Sequence, residues 1–79
     1  GRREFFCLDE RTWVWHEEWV DQYGQHQYMT TRYDVRPSGI VKSQNGQYKS
    51  VDTREARHLL QAARQYQQRV NSELYSFIA

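Results

Sequence analysis

The sequence predicts an α+β domain: an antiparallel β-meander of four to five strands followed by one long C-terminal helix packed across one sheet face. Three observations carry this. Aromatic and β-branched runs separated by turn signals fill residues 4–51. All the gaps between those runs are short enough to be hairpins, and hairpin-joined strands pair antiparallel. From residue 53 to 78 neither Gly nor Pro occurs, and the apolar spacing changes from two to three and four.

The strands follow from their turns. "LDER" (8–11), "DQYGQ" (21–25), "RPSG" (36–39) and "QNGQ" (44–47) punctuate the first fifty residues. They leave Glu4–Leu8, Thr12–Val20, Gln27–Arg36, Ile40–Ser43 and Tyr48–Val51 as strands. Asn45-Gly46 is the sharpest signal, because a two-residue type I′ turn needs positive φ at both central positions. Setting Asp9–Arg11 and Gln22–Gly24 as turns fixes the register. Cys7 then opposes Trp13, Phe5 opposes Trp15, and Met29 and Tyr33 oppose Glu17 and Trp13.

The segment "TWVWHEEWV" (12–20) decides which face is inner. Its odd positions hold Trp13, Trp15, Glu17 and Trp19; its even positions hold Val14, His16, Glu18 and Val20. Each indole can bury ~200 Å², so the odd face is expected to meet the helix. Glu17 is the anomaly on that face, and Arg57, Arg64 or a tryptophan N–H is its expected partner. For the helix, Asp52 and Glu55 have capping-box spacing. Its apolar stripe runs Ala56, Leu60, Ala63, Val70, Leu74 and Phe77, broadened by Leu59 and Tyr66, with Gln67 as a polar interruption of a heptad-like seam.

Seventy-nine residues with 38% hydrophobic and 15% aromatic side chains make a single domain over 1–79, with a limited core. One cysteine, Cys7, excludes an internal disulfide and fits a reducing, cytoplasmic setting. The chain has no membrane-length apolar run, so a membrane would be reached only through a flanking segment outside these residues. Arg2-Arg3 would suit the cytoplasmic edge of such an anchor. Formal net charge is +1, distributed as three basic against six acidic side chains in 1–24 and eight against four in 25–79.

Motif chemistry points away from an enzyme. "WHEEW" lacks the second histidine of a zinc-protease helix and reads as strand, where His16 and Glu18 share a face and Glu17 points away. No nucleotide, redox or hydrolase motif occurs, and no cofactor or metal is expected. The expected function is a non-catalytic interaction module that self-associates or docks a protein partner. Phe6, Val14, Tyr28, Arg32 and Tyr48 on the outer sheet face, with Val70, Leu74 and Phe77 at the helix end, are the candidate contacts. The last two helical turns should overhang the sheet, because a helix of ~39 Å outruns strands of ~17–30 Å.

The alternative is a single-stranded nucleic-acid binder that stacks bases on Tyr28 and Tyr48 and contacts phosphate through Arg32, Arg36, Lys42 and Lys49. A curved antiparallel sheet followed by one long helix is similar in element order to some single-strand-binding transcriptional coactivator domains and purine-rich-element-binding repeats. A small enzyme or regulatory domain is the weakest alternative.

Overall fold

The computed structural model describes residues 1–79 and contains β1 (Arg2–Asp9), β2 (Thr12–Val20), β3 (His26–Arg36), β4 (Gly39–Gln44), β5 (Gln47–Ser50) and α1 (Thr53–Ile78). The strands form one antiparallel sheet in chain order, β1-β2-β3-β4-β5. This is the expected meander with its terminal helix. β1, β3, β4 and β5 each begin one or two residues earlier than expected, and β3 takes in His26.

Turn chemistry holds the meander together. Asn45 (φ 50°) and Gly46 (φ 76°) both adopt the left-handed conformation the β4–β5 hairpin requires. Between β2 and β3, the Asp21 carboxylate accepts from the backbone N–H groups of Tyr23 and Gln25, each at 2.9 Å, and from Gln27 Nε2 at 3.0 Å. Those hydrogen bonds hold the Asp21 carboxyl below its ordinary pKa.

The register groups the inner face into cross-strand rows. Cys7, Trp13, Tyr33, Lys42 and Lys49 form one row; Phe5, Trp15 and Thr31 form the next; Arg3, Glu17 and Met29 a third; Trp19 and Gln27 a fourth. The helix lies along the first row. At its start, Glu55 accepts from Lys42 Nζ at 2.9 Å and from the Tyr33 hydroxyl at 3.0 Å. Further along, the Tyr66 ring stands edge-on to Trp13 at 5.6 Å and to Phe5 at 6.4 Å. Cys7 beside its phenol raises the Tyr66 pKa. From Glu55 to Tyr66 the helix rises ~16 Å, close to the ~14 Å between β4 and β1.

The helix therefore runs across the strands, not along them. What limits its cover is the width of the sheet, and this corrects the expected reason for the overhang. Gln67–Ile78, ~18 Å of helix, projects beyond β1 and every residue in it is exposed. The overhang is three turns, longer than the expected two. The radius of gyration of 14.9 Å exceeds the roughly 12 Å of a compact chain of this length.

The core is correspondingly small. Only Thr12, Trp13, Val14, Thr31 and Leu59 are buried, and no large side chain is fully sealed. Trp13 is 7% exposed and stacks on Phe5 at 5.3 Å, but Trp19 is 39% exposed, so the expectation that all three indoles are covered fails at the third. The helix covers only one row, and Trp19 lies three rows away.

The stripe on the helix also needs correction. Leu59 is buried while Leu60 is 51% exposed. Glu55, Ala56, Leu59, Ala62, Ala63 and Tyr66 make the sheet-facing surface, and at 100° per residue Leu60 falls to its side. Glu55 decides this rotation. Only half of the expected capping box forms: Asp52 accepts from Glu55 N at 2.8 Å, but the Glu55 carboxylate turns to Lys42 and Tyr33 instead of back to Asp52.

Candidate functional site

Four of the candidate outer-face residues fall in a single cross-strand row. Phe6 opposes Val14, Val14 opposes Arg32, Arg32 opposes Ser43 and Ser43 opposes Tyr48. Within it Val14 is 6% exposed, sealed between its neighbours, so it cannot offer contact area itself. Tyr48 is 70% exposed. The Arg32 guanidinium lies 3.3 Å from the Asp34 carboxylate. Tyr28, 72% exposed, stands two rows away, with its ring 6.3 Å from that of His16.

The basic residues considered for phosphate contact do not converge. Arg32 and Arg36 share the outer face with Tyr48, but Lys42 and Lys49 oppose each other on the inner one, and Lys42 is bound to Glu55. Around Tyr28 the outer face is engaged by the Glu18 carboxylate. Glu18 meets His26 at 3.1 Å, His16 at 3.6 Å and Arg2 at 3.9 Å. The hydrogen bond from His26 is the largest of the causes that lower the Glu18 pKa. His16 Nδ1 lies 2.7 Å from the Thr30 hydroxyl. His16 and Glu18 thus share one face, as strand alternation requires.

Glu17, on the inner face, accepts from Trp15 Nε1 at 2.8 Å and lies 3.6 Å from Arg3 Nε. Of its expected partners the tryptophan N–H is present, while the guanidinium comes from β1 instead of from Arg57 or Arg64. The row assignment explains this: Arg3 and Glu17 are register partners, and the helix crosses two rows away.

An open cleft of about 510 Å³ lies beside the helix. Phe5, Trp15 and Tyr33 form its floor and His58, Leu59 and Ala62 its helical wall. Sequence reasoning missed it, because its existence depends on the helix following one row and leaving the next uncovered. Beneath the same uncovered strip Gln44 Nε2 donates to the Thr31 hydroxyl at 2.7 Å.

At the other candidate surface, Val70 is 40%, Leu74 57%, Tyr75 70%, Phe77 85% and Ile78 70% exposed. Val70 and Phe77 lie on the same helical face as Leu59 and Tyr66, with Leu74 beside them. The sheet-packing stripe thus continues past β1 with no sheet beneath it. No helix in the structure is long and apolar enough to cross a membrane. No family model, curated protein or solved structure matches this chain.

Proposed function

We propose that this domain is a non-catalytic assembly module and that its partner is a second copy of itself. The observation carrying this is the uncovered end of the helix, where the stripe that builds the intramolecular core runs on for three turns over open space. Val70, Leu74, Phe77 and Ile78, exposed by 40%, 57%, 85% and 70%, present on the order of 400 Å² of apolar surface, taking ~150–200 Å² per large side chain. A patch of this size is at the upper end of what a monomer exposes and is often functional.

Two features favour a copy of the same chain as the occupant. An inner-face strip containing Trp15, Trp19 and Met29 is left open by the helix and has the aromatic character of an interface core. Charge is complementary between the helix and the strands it would meet: 53–79 carries net +2 and 1–24 net −3. A reciprocal arrangement brings the helix of one copy to the sheet of the other. Sedimentation at ~100 µM is the test. The wild-type chain is expected to sediment as a dimer, and Leu74→Asp or Phe77→Asp as a folded monomer. A wild-type monomer at that concentration removes the reading.

The exposed rings of Tyr28 and Tyr48 favour single-stranded nucleic acid as a second reading, weakened by the Arg32–Asp34 pair and the division of the lysines between faces. An oligonucleotide titration at two salt concentrations tests it. Phosphate contacts demand a steep salt dependence, and no binding at low salt eliminates it.

A further inference from the structure

The self-association proposed above leaves open how two copies meet, and the inference here rests on that reading. β1 is an outer strand of the sheet, so one edge of its backbone carries no ladder partner. The helical overhang projects past this edge, with its apolar stripe facing the level where a further strand would lie. Strand edge and roof together form a notch shaped for a β-strand that arrives with its own sheet.

We infer that two copies join β1 to β1 antiparallel about a two-fold axis, making one ten-stranded sheet with both helices on the same side. Each overhang then lies on the inner face of the other copy. Its ~18 Å spans between three and four strand spacings, enough to reach β3 of the partner copy.

The register follows from charge and helix spacing. Centring the axis on Arg3 or Glu4 sets like charges directly opposite each other, which is destabilising. Centring it on Phe6 puts Cys7 opposite Phe5 of the other copy, and the helices only ~7 Å apart, below the 8–10 Å that packed helices need. Centring it on Phe5 pairs Phe5 with itself and Cys7 with Arg3 of the other copy. The helices then sit ~13 Å apart. The Cys7–Trp13 row under one helix continues into the Arg3–Glu17–Met29 row of its neighbour, which is open in the single chain.

Three consequences fit the residues present. By helical rise, Val70 comes over the Arg3 position, Leu74 over Glu17 and Phe77 over Met29. Glu17 is already satisfied by Trp15 and Arg3, so a leucine above it strands no carboxylate. The cleft floored by Phe5 and Trp15 falls between the two helices and is closed by them.

Disulfide trapping tests the register. Arg3 is exposed, with its side chain 75% accessible, so Arg3→Cys leaves the core intact. In a chain retaining Cys7, mild oxidation with copper phenanthroline is expected to link the Arg3→Cys thiol of one copy to Cys7 of the other, giving a covalent dimer on a non-reducing gel. The same two positions within one chain are ~13 Å apart, too far to bridge. Wild-type and Arg3→Cys/Cys7→Ser chains are expected to stay unlinked. If the Arg3→Cys chain itself sediments as a dimer yet fails to link, or links equally without Cys7, the edge-to-edge arrangement is wrong while self-association stands. A Val70→Cys/Cys7→Ser chain that links to itself overturns it in favour of helix on helix. A monomer in sedimentation removes both readings.

Discussion

Replacing Leu59 and Leu60 in turn by alanine asks which of two adjacent leucines faces the sheet. Leu59 is 7% exposed and Leu60 51%. Leu→Ala removes about three methylene equivalents, ~2.5 kcal/mol when fully buried. The further cost of a sealed cavity should be small at Leu59, because the side chain borders the open cleft and water or neighbouring rings can fill the space. The expected loss is about 2.5 kcal/mol for Leu59→Ala and no more than about 1 kcal/mol for Leu60→Ala. With a urea m-value of about 1 kcal/mol/M for a domain this small, the midpoint moves by about 2.5 M and under 1 M respectively. Tryptophan fluorescence reads the transition, because Trp13 lies in the same packed cluster. All chains must be compared at one protein concentration, since self-association adds to apparent stability. A Leu60→Ala shift equal to or larger than that of Leu59→Ala would refute the rotation assigned to the helix.

The remaining predictions concern the anchor, the alkaline limit and the indoles. Glu55→Gln removes a carboxylate that binds Lys42 and Tyr33, and should cost about 1–3 kcal/mol in the same urea assay; an unchanged midpoint would show that the helix start is held by packing alone. Burial, followed by its bond to Glu55, pushes the Tyr33 phenol up to about 12. Because that pKa is raised above the ordinary value near 10, its contribution is complete below about pH 10 and is lost as pH rises through about 12. Absorbance at 295 nm should show late-titrating tyrosine, and Glu55→Gln should move the part belonging to Tyr33 to lower pH. At concentrations low enough to keep the chain monomeric, iodide should quench Trp19 readily and Trp13 hardly at all. The Trp19→Phe chain is expected to emit further to the blue and resist quenching, and an unchanged spectrum would contradict the graded cover of the three rings.

The candidate site was legible where it depended on strand alternation. Pairing of Phe6 with Val14, and of Val14 with Arg32, follows from turn lengths and period two, and the structure reproduces both. What alternation does not carry is how much of each side chain stays accessible. Val14 is small and central, so larger neighbours close over it on a face with no helix. The cleft escaped notice because it belongs to no single segment: it lies between a row of β1–β3 and the side of α1.

Local chemistry in the sequence determined the elements, their order and the register, since turns such as Asn45-Gly46 act over two residues and alternation over the strand itself. It also determined that the helix would outrun its sheet. The crossing direction and rotation of that helix were decided by the tertiary structure. Glu55 was free in sequence terms to close its own cap, but the fold brings Lys42 and Tyr33 to it from β4 and β3. Two charge-assisted contacts outcompete one local backbone bond. The helix is thereby tied across the strands, burying Leu59, leaving Trp19 uncovered and carrying Val70, Leu74 and Phe77 out past β1.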